Sequence, residues 1–243
     1  MRIYHWIAVA CGTALAVVSA IAADPVGSTA AASNPDALAK FNSKRFDEVY
    51  VRPDADFRSY TKVLLRPTQV TFAPGWMKDM NSARIALLQR TTTEDADRIA
   101  EEVRTEFSAV VTNAFKRAGY AIVTTPAANV LQLSVNIVDL YVSAPETITM
   151  ALPSRVYTAN AGQATVAIEF RDSTTDALLG RIRDHRTAGD RGGFRSSFML
   201  TTPVSNRFDF GRVFNIWALG SARTLMELKA PLPVAMAVPG RLP

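Results

Sequence analysis

Between Thr93 and Ala118 the apolar residues Ala96, Ile99, Ala100, Val103, Phe107, Val110, Val111, Ala114 and Phe115 recur at spacings of three and four. That period puts them on one face of a helix. Both ends carry helix punctuation: Thr92 and Asp95 have capping-box spacing, Glu94, Asp95 and Asp97 complement the positive N-terminus, Lys116 and Arg117 the negative end, and Gly119 suits a left-handed C-cap. A second stripe, Phe210, Val213, Phe214, Trp217, Ser221, Leu225 and Leu228, predicts a closing helix from Asp209, read as its N-cap, to Lys229.

Elsewhere the period is two. Leu131, Leu133, Val135 and Ile137 alternate with Gln132, Ser134 and Asn136, so Val130 to Val142 reads as a strand with one buried and one wet face. Thr165 to Arg171 repeats the pattern through Val166, Ile168 and Phe170, and the turn cluster Asp172 to Asp176 leads into Ala177 to His185, which makes a hairpin. Thr61 to Arg66 and Thr68 to Phe72 read as one strand, with Pro67 marking an edge position or a bulge, and Tyr120 to Thr125 as another. A sheet with one wet face places its helices on the other. The predicted fold is therefore α+β: a two-layer sandwich with a mostly antiparallel sheet of about five strands and two helices packed on one face. The strand, helix, strand opening adds one parallel pair.

The start of the chain has a different character. After Arg2 an apolar run extends from Ile7 to Ala22 and ends in the small-x-small pattern Ala20-Ile21-Ala22. A spanning helix needs roughly 20 apolar residues, so this run has the length of a secretory signal, with cleavage expected after Ala22. Residues 23–45 are rich in Ala, Ser and Pro and read as a tether, residues 46–230 as a single domain, and residues 231–243 as a Pro-rich tail. The mature form is then expected to carry no transmembrane helix and to be periplasmic or associated with the outer membrane. Cys11 is the only cysteine, and most of the apolar run follows it, where a lipoprotein box would close the run. Losing residues 1–22 lowers the formal net charge of +5 by one. That mild excess fits anionic surfaces, and export argues against nucleic acid.

The succession Tyr50-Val51-Arg52-Pro53, Asp56-Phe57-Arg58-Ser59-Tyr60, Lys62-Val63-Leu64-Leu65 and Pro67 resembles the opening of the bacterial envelope family called domain of unknown function 3313. Gly119-Tyr120, the turn from Asp172 to Leu179 and Trp217 continue the resemblance over roughly residues 46–230. It implies an envelope protein, often a lipoprotein, and no assigned activity. Cys11 departs from the lipoprotein pattern.

Candidate chemistry is sparse. Without the signal, His185 is the only histidine, and its neighbour Asp184 points to the opposite face of a strand, so the two cannot pair as base and orienting acid. Asp172 and Asp176 read as turn residues rather than calcium ligands, and Gly189 to Gly193 as a connection rather than a phosphate loop. No cofactor, metal site or catalytic residue is read from the sequence. The best lead is a basic row: Arg181, Arg183 and His185 share one strand face and Arg186 follows, as candidate ligands for an anionic polymer, lipid surface or protein of the envelope. Two loops, Ser143 to Gln163 and the stretch with Phe194, Phe198, Met199 and Leu200, carry apolar residues that fold back onto the core or form a contact patch. The expected role is a non-enzymatic binding or scaffolding module. The alternatives are a carboxylate enzyme on cell-wall or lipid substrates using Asp139 or Asp184, and a small-molecule carrier with an apolar pocket under the 143–163 loop.

Overall fold

Val130–Val142 is the spine of the sheet, because strands pair with it along both edges. The computed structural model describes residues 38–82, 90–143, 156–158, 160–189, 199–201 and 203–230. In chain order the strands are β1 (Ala39–Lys40), β2 (Glu48–Val51), β3 (Lys62–Leu65), β4 (Gln69–Phe72), β5 (Ala121–Val123), β6 (Val130–Val142), β7 (Val156–Thr158), β8 (Gly162–Asp172), β9 (Leu178–Ala188) and β10 (Met199–Thr201). The helices are α1 (Trp76–Ser82), α2 (Thr93–Arg117) and α3 (Pro203–Lys229).

Among the described residues eight strands form a mixed sheet in the order β1-β2-β9-β8-β6-β3-β5, with β4 also on β6. The expectation of about five strands falls short. The additional ones are short edge elements, β1 and β2, whose few residues show too little alternation to be read, and a divided β3–β4. The four pairings from β1 to β6 are antiparallel, and those of β3 with β5, β3 with β6 and β4 with β6 are parallel. The parallel pair expected from the strand, helix, strand opening is thus β3 with β5, on either side of α2 in sequence.

Pro67 marks a bulge. Leu65 pairs with Leu133 and Gln69 with Asn136, so the residues between them on the Pro67 side outnumber those on β6 by one. Further along β6 the register slips again between Val138 and Tyr141, where Asp139 takes a left-handed backbone at φ 55°. The two loops singled out in the sequence meet, since β7 pairs antiparallel with β10. Met150, Leu152, Phe194 and Phe198 lie outside the described residues, as does the tail 231–243.

The helix α2 begins and ends where its punctuation placed it, with both capping-box hydrogen bonds between Thr92 and Asp95 formed. Its residues Phe107, Val111 and Phe115 share one core with Phe214, Trp217 and Leu225 of α3 and with Leu131, Leu133, Val135 and Ile137 of β6. The Phe107 ring lies 5.1 Å from Phe214 and 6.1 Å edge-on from Trp217. The alternate β6 residues Gln132, Ser134 and Asn136 are half-buried on the other face. Asp209 does not cap α3. That helix begins at Pro203, whose missing N–H is harmless in a first turn, so Asp209 sits inside it. The polar stretch Ser205-Asn206-Arg207 hides the first turns from an apolar-period reading.

Several residues that carry the family resemblance meet as packing chemistry. Phe57 packs edge-on against Phe170 at 6.4 Å, and Lys229 Nζ donates to the Tyr60 carbonyl at 2.6 Å while lying 4.8 Å from the Tyr120 ring. Tyr60 OH donates to Asp172 Oδ2 at 2.8 Å, and Asp172 Oδ1 accepts from the N–H groups of Thr174 and Thr175 at 2.9 and 2.8 Å. Burial pushes the Asp172 carboxyl up, but these donors outweigh it and hold it well below the usual carboxylate range. Burial, reinforced by the Asp172 carboxylate, pushes the Tyr60 phenol up to about 12.

The linkage has opposite signs at the two ends of the pH scale. Asp172 is depressed, so its contribution holds at neutral pH and falls away as pH drops below roughly 4. Tyr60 is raised above the roughly 10 of a free phenol, so its contribution is complete below that pH and is lost as pH rises toward about 12. Thermal melts at intervals from pH 8 to the alkaline limit should show wild type losing melting temperature faster than Tyr60→Phe. Parallel curves would show that the phenol carries no such linkage.

Candidate functional site

Strand β9 alternates as read. Arg181, Arg183 and His185 are exposed, while Ile182 and Asp184 are buried between them on the helix side. The basic row therefore exists, but the sheet sets acids beside it. Arg181 lies opposite Glu169 of β8 and donates to its Oε1 through Nε and Nη2 at 3.1 and 2.7 Å. Arg171 holds Oε2 of the same carboxylate at 3.0 and 2.8 Å. Burial acts to raise the Glu169 carboxyl, yet the two guanidinium groups overcome it and lower it.

Arg183 lies opposite Glu48 of β2 and Ala167 of β8, and has no ion pair among the described residues. His185 Nδ1 is 3.1 Å from Thr165 Oγ1, and its backbone N–H donates to Asp47 Oδ2 at 2.9 Å. Arg186 turns toward the interior, where Nε donates to Asp184 Oδ2 at 2.6 Å and Nη2 to the Arg45 carbonyl at 2.9 Å. The buried Asp184 carboxylate also accepts from Trp217 Nε1 at 2.8 Å and from the Asp47 N–H at 3.0 Å. Asp184 and His185 do face opposite ways, and each has its own partners.

Two hollows share His185 as a wall. One, of about 300 Å³, is lined by Asp47, Glu48, Thr165, Arg183 and His185 on the outer sheet face. The other, of about 400 Å³, lies where the end of β9 meets α3 and is lined by His185, Arg186, Thr187, Gly189, Asp209 and Arg212, with Val213 and Ile216 beside them. Of the sequence candidates, His185 and Arg186 meet in this second hollow, Arg183 joins His185 in the first, and Arg181 is committed to Glu169. Arg212 and Asp209 were not among the candidates. They lie one helical turn apart on the polar side of α3, but nothing local in the sequence ties that side to β9.

Asp139 is exposed at its bulge and Asp184 is buried beneath the sheet, so these carboxylates do not face one cleft. Among the described residues no group of three or more His, Cys, Asp or Glu side chains is placed to hold a metal ion. No described helix is long and apolar enough to cross a membrane.

A mixed sheet packed against two long helices, with a charged corner where the end of β9 meets α3, defines an α+β protein. The chain belongs to the family described as "Protein of unknown function (DUF3313)", whose model matches residues 29–208. No curated protein matches it. Similar solved structures include a PelC dodecamer from Paraburkholderia phytofirmans, at 12% identity over 69% of this chain and 95% of that one with a TM-score of 0.33. A DUF330 protein of Xanthomonas campestris is similar at 11% identity over 72% and 89%, with a TM-score of 0.37. A DUF4136 family protein of Bacteroides thetaiotaomicron is similar at 10% identity over 79% and 97%, with a TM-score of 0.34.

Proposed function

We propose that this protein is exported by the signal ending at Ala22 and works in the periplasm or at the outer membrane as a non-enzymatic binding module for an anionic envelope component. The observation that carries this reading is the pair of free guanidinium groups around His185. Among the described residues neither Arg183 nor Arg212 has an acid partner, and each lines a hollow that His185 also lines. A guanidinium in such a hollow can hold a phosphate or carboxylate through two parallel hydrogen bonds. Arg181 does not contribute in the same way, since its charge is balanced by Glu169. Binding is favoured over carboxylate catalysis because Asp184 is buried against Arg186, Trp217 and the Asp47 N–H, away from the exposed Asp139.

The test is co-sedimentation of the purified mature protein with vesicles containing anionic lipid and, separately, with cell-wall sacculi. Arg183→Gln combined with Arg212→Gln should weaken binding to one of them by about tenfold or more, the loss expected for charge-assisted hydrogen bonds. The Arg181→Gln variant should bind within about twofold of wild type, as expected for a balanced surface charge. Unchanged binding by the double variant, or no binding by wild type to either, overturns the reading.

A further inference from the structure

The hollow between β9 and α3 carries a carboxylate among its cations, and this restricts what can bind there. Asp209 and Arg212 stand at the i,i+3 spacing at which helix side chains of opposite charge pair. They form no ion pair with each other, and among the described residues neither has another hydrogen-bonding or ionic partner, although both line the hollow. Arg186 has placed its Nε and Nη2 on Asp184 and the Arg45 carbonyl, which leaves its Nη1 uncommitted to either. His185 borders the hollow at the end of β9.

Gly189 keeps the acid accessible. Its backbone is left-handed at φ 80°, and a Cβ on it would lie 2.9 Å from Asp209 Oδ2, so any side chain there would crowd the carboxylate. A simple anion held by Arg212 would meet an uncompensated negative charge beside it, at a repulsive cost in a partly enclosed site. A ligand carrying its own cation next to its anion satisfies both protein groups together. The lip of the hollow is apolar at Ile216, which lines it and is 47% exposed.

We infer that this hollow binds a phosphate–ammonium zwitterion of the phosphoethanolamine type, with the phosphate on Arg212 and Arg186 and the ammonium on Asp209. The inference rests on the reading of the same corner as an anion site and specifies its ligand class. The apolar lip favours a headgroup presented by a lipid over the free compound.

Calorimetric titration of the full mature protein with glycerophosphoethanolamine and with glycerol phosphate separates the possibilities, together with flotation on vesicles of phosphatidylethanolamine in phosphatidylcholine. Wild type should bind glycerophosphoethanolamine at least about tenfold more tightly than glycerol phosphate. Asp209→Asn should remove that preference while keeping glycerol phosphate binding, and Arg212→Gln should weaken both. Both side chains lack described partners, so the variants should melt close to wild type. Glycerol phosphate binding as well as the zwitterion, with Asp209→Asn improving it, overturns this inference and leaves the anion reading standing. No binding of either probe, with no vesicle flotation, overturns this inference, and the anion reading falls with it where anionic vesicles and sacculi are not bound either. Binding of the free compound without flotation keeps the ligand class and overturns the lipid source.

Discussion

Replacing Asp184 by Ala should destabilise the fold by about 3–5 kcal/mol, the range expected when one member of a buried, hydrogen-bonded charge pair is removed. The Asp184 side chain joins three parts of the molecule. It accepts from Arg186 on its own strand, from Trp217 on α3 and from the backbone of Asp47 in the chain leading to β2. Only 2% of the residue is exposed, so water cannot replace it. Alanine would leave a guanidinium, an indole N–H and a peptide N–H without their acceptor in a low-dielectric site, and each lost partner adds its own desolvation penalty. Asp184→Asn retains an acceptor while losing the charge, and Trp217→Phe removes a single donor, so both should fall between wild type and Asp184→Ala. Urea unfolding followed by Trp fluorescence and circular dichroism reads the series. A loss below about 1 kcal/mol for the alanine variant, typical of an exposed pair, would refute this role.

Gly162→Ala is expected to cost about 3 kcal/mol or more, through backbone strain and overpacking acting together. Gly162 opens β8 with φ at 143°, and a Cβ built on it would lie 1.9 Å from the Tyr141 carbonyl oxygen and 2.9 Å from the Phe210 ring. The nearer obstacle is backbone held in the β6–β8 ladder, where Val142 pairs with Gly162, so no side-chain rotation relieves the clash. Gly119, also left-handed at 89°, has nothing within 4 Å of its would-be Cβ. Gly119→Ala should therefore cost only about 1 kcal/mol, from conformation alone. Equal losses for the two alanine variants would show that conformation, and not the Tyr141 contact, governs Gly162.

The elements most legible in the sequence are those whose information is local. The α2 boundaries follow from Thr92, Asp95 and Gly119 because capping bonds join residues only a few positions apart. The buried face of β6 follows from strict alternation between Leu131 and Ile137. The turn after Asp172 was readable for the same reason, as its carboxylate bonds Thr174 and Thr175 nearby. Short elements escaped. The edge strands β1 and β2 are stabilised by what they pair with, and the start of α3 lies behind polar residues that break the apolar stripe.

The candidate site divides along the same line. Alternation alone put Arg181, Arg183 and His185 on one face, because successive side chains of any strand point to opposite sides. Which of those charges stays free was decided by register. Glu169 comes from a neighbouring strand to neutralise Arg181, and Asp209 and Arg212 reach the corner on a helix distant in sequence. The sequence by itself determined the periods, the caps of α2, the α+β class and the family, since each depends on patterns among neighbouring residues. Only the tertiary structure decided how many strands join the sheet, which arginines have partners and where an acid stands among them. Those outcomes depend on pairings between distant segments, whose energies no local pattern contains.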